Sequence, residues 1–186
     1  MLEKIISLDK QLFLFLNNLG SEQFDSFWLF ITKQANWTPF FLFLFYLVYK
    51  QLGWKKLLLI LLSVTFILII TDQTCNLFKN EFQRLRPCNN PDFVGIMRNI
   101  KPSQTFSFFS GHAANSSAVA LFLFLILRKH YKYFGFIILW PLIFAYSRIY
   151  LGLHYPIDIF TGYLCGIIYG FLVFKCYQFI LKKYFI

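Results

Sequence analysis

Twelve residues between two long apolar runs bring together a guanidinium, an imidazole and a carboxylate: Ser147-Arg148-Ile149-Tyr150-Leu151-Gly152-Leu153-His154-Tyr155-Pro156-Ile157-Asp158. Charged groups at the edge of apolar segments are costly to hold there, so they mark function by default. Pro156 disfavours helix at Tyr155 and suits the first position of a new helix, expected to start near Ile157. Asp158 then falls in the first helical turn, within hydrogen-bonding reach of His154 just outside it. A carboxylate on one ring nitrogen sets the tautomer and leaves the other nitrogen free as base or nucleophile.

Two further clusters carry chemistry. In Lys79-Asn80-Glu81-Phe82-Gln83-Arg84-Leu85-Arg86-Pro87, Lys79 and Arg86 are two helical turns apart. Both point one way if the helix runs on through them, with Pro87 ending it. Arginine offers a planar fork for phosphate oxygens and lysine a mobile point charge. The other cluster is Ser110-Gly111-His112, directly before the apolar run 113–127. Ser110 is a good helix N-cap, and Gly111 lets a ligand approach the backbone. The free N–H groups of the first turn make a ready anion site. His112 there can hand a proton to a leaving oxygen. Spacing alone does not choose between His112 and His154 as the nucleophile.

The elements that must position these groups belong to a membrane protein. Hydrophobic residues make up 58% of the 186 and charged residues 14%, against roughly 25% charged in a typical soluble domain. The 26 Phe and long Leu/Ile/Phe runs leave no sensible soluble core. The net charge of +10 then reads as cytoplasmic loops and anionic lipid headgroups, not nucleic acid. The four cysteines (Cys75, Cys88, Cys165, Cys176) form neither a disulfide framework nor a zinc spacing and are read as packing residues. Asp9 and Lys10 interrupt the N-terminal apolar positions, so no cleavable signal is expected.

Residues 2–18 predict an amphipathic helix that lies in the membrane interface, ended by Asn17-Asn18-Leu19-Gly20. Residues 22–35 continue in that style and are expected to run towards the first span. Spans are expected at 36–49, 57–78, 111–127, 133–150 and 157–181, near the length a bilayer demands. Gly53 sits in the turn after the first, and Pro141 is a candidate kink in the fourth. The expected fold is thus an all-α integral membrane bundle of five to six transmembrane helices with an N-terminal amphipathic helix. Residues 1–36 form its interfacial segment and 37–186 its transmembrane domain. Lys50, Lys55, Lys56, Arg128, Lys129, Lys132, Lys175, Lys182 and Lys183 set the cytoplasmic side by the positive-inside rule. Lys79, Arg84, Arg86, Arg98 and Lys101 fall on the other side against that rule, and an anionic ligand would explain them. Asp72, inside the second span, is expected to be a buried, paired carboxylate, with a place in the pocket as the alternative.

Lys79–Pro87 fits K-x6-R-P, Ser110–His112 fits the end of P-S-G-H, and Ser147–Asp158 fits S-R-x5-H-x3-D. The last pattern fixes four residues, which chance supplies at roughly one position in a hundred thousand. In these motifs and their order the chain resembles the type 2 phosphatidic acid phosphatase superfamily (PAP2). Phe109 stands where that family usually has proline. The resemblance implies His154 as the nucleophile that forms a phosphohistidine, Asp158 as its orienting partner and His112 as the acid for the leaving group. It implies Lys79, Arg86, Ser110, Gly111 and Arg148 as phosphate ligands, with no metal and no cofactor. His130, among cytoplasmic basic residues, is a bystander. The small size, amphipathic beginning and segment 25–32 are similar to undecaprenyl-diphosphate phosphatases, and lipid A phosphatases share the plan. The expected partners are the bilayer and a membrane lipid phosphate, undecaprenyl diphosphate or lipid A, in the bacterial inner membrane with the site facing the periplasm. A lipid phosphotransferase and a non-catalytic transporter or binder of anionic lipid are the alternatives.

Overall fold

A computed structural model describes residues 2–184, and these fold into helices with short 3-10 turns between them and no strand. The helices are α1 (Leu2–Asn18), α2 (Asp25–Ile31), α3 (Thr38–Phe82), α4 (Gly111–Leu127), α5 (Leu139–Tyr150) and α6 (Pro156–Tyr184). The runs over Gln34–Phe93 and Pro156–Tyr184 contain stretches long and apolar enough to cross a membrane, and the helices of Gly111–Leu127 and Phe134–Tyr150 are shorter and apolar.

At 45 residues a straight α3 would be roughly 68 Å long, about twice a bilayer core. Gly53 interrupts it with φ 75° and ψ 173°, a conformation that costs other residues much more. The limbs 38–52 and 54–82 fold against each other, so Phe45 and Val64 near the bend, and Thr38 and Asp72 far from it, line one cavity. Residues 22–35 do not run straight into this helix. α2 ends at Ile31, and a 3-10 turn (Gln34–Trp37) separates it from α3, whose second residue is Pro39. Pro141 sits in the first turn of α5, where its missing N–H costs nothing, so it makes no mid-span kink.

The central contact is α4 against α6. Gly162, Gly166 and Gly170 recur every four residues along one face of α6, and α4 answers with Ala113, Ala114, Ser117 and Ala118. A Cβ on Gly162 would stand 2.6 Å from the Ser110 carbonyl, and one on Gly170 would stand 2.5 Å from that of Ala118. Stripes of small residues let helix backbones approach where apolar burial gives no preference for protein over lipid. The Ser110 N–H donates to the Asp158 carbonyl at 3.0 Å. α4 and α6 therefore begin side by side, and their positive ends converge on one place.

α1 turns Asp9, Phe13 and Asn17 inward, one helical face, and leaves Ile5, Ile6, Leu8, Leu12 and Phe15 exposed. The Asn17 side chain donates to the Ile149 and Tyr150 carbonyls at 3.1 and 2.9 Å, capping the end of α5.

Candidate active site

The second limb of α3 ends at Phe82, where Gln83 takes a left-handed conformation (φ 44°). Arg86 therefore lies beyond the helix and does not share a face with Lys79; the chain turns four residues before Pro87. From this extended stretch Arg86 reaches into the protein and is only 4% exposed. Its Nε and Nη2 donate to the Thr105 carbonyl and hydroxyl, both at 2.8 Å, and Nη1 donates to the Leu153 carbonyl at 3.0 Å. Nη1 also approaches His154 Nε2 at 3.2 Å. A guanidinium can only donate, so Nε2 presents its lone pair and the ring proton is on Nδ1.

Nδ1 faces Asp158 Oδ2 at 3.4 Å. That is contact, not a formed hydrogen bond, and Nδ1 has no partner. The expected His154–Asp158 hydrogen bond is open because other donors hold the carboxylate. The Tyr155 N–H donates to Oδ2 at 2.9 Å, and Arg84 Nη1 donates to Oδ1 at 2.7 Å. The second Arg84 nitrogen, Nη2, donates to Asp9 Oδ2 at 2.6 Å. Asp9 Oδ1 accepts from the Ile157 N–H at 2.9 Å, in the first turn of α6. The Arg84 guanidinium also lies 3.9 Å over the Tyr155 ring. Asp9 and Arg84 are thus parts of the site that motif reading missed. Arg84, beside Arg86 and one of the cations that fall against the positive-inside rule, was the available signal, but nothing in the spacing pointed to residue 9.

The N-terminal segment supplies another missed residue. Thr32, just after α2, is 3% exposed. Its hydroxyl accepts from Arg148 Nη1 at 2.6 Å, and its carbonyl accepts from His112 Nε2 at 3.3 Å. The His112 ring also stacks on Phe144, with centroids 4.7 Å apart. Arg148 keeps its buried Nε without a partner, an unmet donor that an incoming oxyanion would satisfy.

Ser110 caps α4, its hydroxyl accepting from the Ala113 N–H at 3.4 Å. This leaves the first N–H groups of α4 beside the cations. Burial first, and then the charges of Arg86, Arg148 and Lys79, press the pKa of His154 well below the ordinary histidine value. Its neutral form therefore persists to lower pH than in a free histidine. Lys101 at the mouth is pushed down by burial and by Arg148, Lys33 and Arg86. Arg86, His154, Asp158 and the Ser110–Gly111 start of α4 thus meet in one cup, Thr32 ties Arg148 and His112 together beside it, and Lys79 is near enough for its charge to act on His154. Two of the surplus cations do not serve an anionic ligand directly: Arg84 pairs with Asp9 and Asp158, and Arg98 with Asp25 at 2.7 Å.

Asp72 also departs from expectation. It is paired, with Asn115 Nδ2 donating to its Oδ1 at 2.8 Å, yet it is exposed and lines a cavity. His130 lies in the exposed turn after α4, away from the cup.

The sequence profile of the PAP2 superfamily matches residues 53–182. The lipid A 4'-phosphatase of Bacteroides thetaiotaomicron is 37% identical, over 94% of this chain and 79% of its own length. The undecaprenyl-diphosphatase of Sulfolobus acidocaldarius is 28% identical, over 91% of this chain and 79% of its own. Among solved structures, the PAP2-type phosphatidylglycerolphosphate phosphatase of Bacillus subtilis superposes with a TM-score of 0.73 at 21% identity, covering 97% of this chain and 89% of that one.

Proposed function

The chain belongs to the PAP2 superfamily and is a membrane lipid phosphatase, and from that premise we propose that His154 Nε2 attacks the phosphorus of an envelope lipid phosphate. The P–N bond forms as the bond to the lipid oxygen breaks, and His112 protonates that oxygen. Water then attacks the phosphohistidine, with His112 taking its proton, and inorganic phosphate leaves. Lys79, Arg86, Arg148 and the Ser110–Gly111 end of α4 hold the phosphoryl oxygens while charge builds on them. Asp158, 3.4 Å from Nδ1, stabilises the positive charge the ring gains on attack, and Arg84 and Asp9 hold Asp158 and the start of α6 in place. One observation carries the reading: a buried neutral imidazole with its lone pair turned to Arg86, beside an Arg148 Nε that lacks an acceptor.

Lipid A is the favoured substrate, because the lipid A 4'-phosphatase relative is 37% identical and the undecaprenyl-diphosphatase 28%. Five membrane spans support the site: the two limbs of α3, then α4, α5 with its preceding 3-10 turn, and α6. α1 lies along the interface, its exposed Ile5, Leu8, Leu12 and Phe15 in the lipid. The cup opens to the periplasmic side of the inner membrane. Residues 1–36 are this interfacial segment, and 37–186 form the transmembrane phosphatase unit.

Phosphate release by the purified protein from lipid A, undecaprenyl diphosphate, phosphatidylglycerophosphate and phosphatidate tests the substrate, with lipid A expected to turn over fastest. Rapid-quench labelling with radiolabelled lipid phosphate tests the chemistry. His154→Ala should lose both turnover and the acid-labile phosphoenzyme. Phosphoenzyme formed by His154→Ala but not by His112→Ala would reverse the two roles.

A further inference from the structure

Asp72, inside the apolar length of α3, is an acidic side chain that the phosphate chemistry leaves unused. Asn115 must turn its NH2 group towards the carboxyl, which accepts, so Oδ1 is taken at 2.8 Å. The other side of Asn115 meets the Thr71 hydroxyl. Oδ2 accepts no hydrogen bond among the described residues, and the Asp72 side chain lines a cavity of about 400 Å³, within the range of ligand sites. Phe41, Phe45, Val64 and Val119 give this cavity apolar walls.

The cavity adjoins the phosphate cup in two places. A Cβ on Gly111 would stand 3.9 Å from Asp72 Oδ1, so the carboxyl abuts the first turn of α4. Phe144, on which the His112 ring stacks, is part of the cavity wall. A group held by Asp72 would therefore sit next to the phosphate, with hydrocarbon running on between the two limbs of α3. An acceptor left open in an apolar, membrane-embedded cavity is costly unless a donor meets it.

We propose that this cavity takes the hydrocarbon arm adjoining the phosphate, and that Asp72 Oδ2 accepts a hydrogen bond from a hydroxyl or amide N–H on that arm. The protein thereby selects lipid phosphates with a donor near the phosphate over those with ester-only or bare polyprenyl arms. This rests on the lipid-phosphatase reading above and adds to it the chemical class of the arm. The pairing is built for discrimination, since a site that hydrogen-bonds a donor rejects the analogue lacking it far better than an apolar pocket rejects an extra group.

The test compares kcat/KM for ceramide phosphate, which carries a hydroxyl and an amide N–H, with that for phosphatidate of matched chain length. Both are measured in the same mixed micelles on the same preparation, so the ratio is insensitive to any misfolded fraction. The wild type should prefer ceramide phosphate. Asp72→Asn keeps the volume and the Asn115 contact but replaces the open acceptor with a donor, and Asp72→Leu removes it. Each should lower the ratio by roughly tenfold or more, as expected for a hydrogen bond to a charged group. An unchanged ratio in both variants, or a wild type without preference, overturns the inference and leaves the phosphatase standing. A wild type inactive on these and on every other lipid phosphate of the panel takes down the phosphatase reading, and this inference with it.

Discussion

Arg86 decides two properties of His154 at once, its tautomer and its protonation. Its Nη1 meets Nε2 at 3.2 Å, and its charge is the largest cause after burial of the depressed histidine pKa. The sign follows directly. A lowered pKa keeps the imidazole neutral as pH falls through the ordinary histidine range, so the acid limb of kcat/KM that belongs to His154 should lie below about 6.5. Arg86→Gln removes one cause of the depression. Besides lowering activity, it should move that limb upward towards the ordinary value. The difference between wild type and variant on one lipid phosphate is the measurement, because the substrate's own ionisation is common to both. On the other side of the ring, Asp158→Asn leaves Arg84 facing an amide and removes the carboxylate charge beside Nδ1. Because the carboxylate charge that would balance the phosphorylated imidazole is gone, this variant should slow phosphoenzyme formation by roughly a hundredfold, about 3 kcal/mol of barrier, read by rapid quench.

Helices bring these side chains together through contacts that no single motif contains. α2 ends where the Thr32 hydroxyl takes Arg148 and its carbonyl takes His112, so one residue from outside the three motifs touches two of them. Thr32→Val keeps the shape and leaves a second buried donor of Arg148 unmet. It should cost roughly tenfold or more in kcat, with Thr32→Ser restoring most of it while thermal stability changes little between the two variants. The seam between α4 and α6 calls for the opposite test. A side chain at Gly166 would meet the Ala114 carbonyl and the Ser117 hydroxyl, backbone and side chain of a packed helix. Gly166→Leu should therefore destabilise by about 1–3 kcal/mol or more. Melting in detergent should show a Tm lowered by several degrees, with activity lost in proportion, since the seam aligns the two helix ends that flank the phosphate.

The molecule as a whole sorts its charges by side. Lys55 and Lys56 near the bend of α3, Arg128 and Lys129 after α4, and Lys182 and Lys183 near the end of α6 lie at the ends of the helices remote from the cup. By the positive-inside rule those ends are expected in the cytoplasm, as proposed above. Cysteine labelling with a membrane-impermeant reagent should reach Asn99→Cys from outside intact cells, and Lys55→Cys and Arg128→Cys only after permeabilisation. Labelling of positions 99 and 128 from the same side would overturn the five-span arrangement. The sequence by itself determined the membrane class, the extent of α4, the start of α6 to within one residue, and the motif residues from which a phosphate cup is proposed. Those rest on local signals: apolar run length, an N-cap serine, a proline at a helix start, and charges where charges are costly. Only the tertiary structure decided what holds the cup in shape. Asp9 reaches Arg84 across 75 positions, Thr32 reaches Arg148 across 116, and Arg86 reaches Leu153 across 67. Each is a single polar residue whose partner depends on how the helices pack, and spacing along the chain carries no record of that. Asp72 shows the same limit from the other direction. Its intramembrane position was legible in its apolar surroundings, but the cavity it faces exists only where the two limbs of α3 fold back beside α4 and α5.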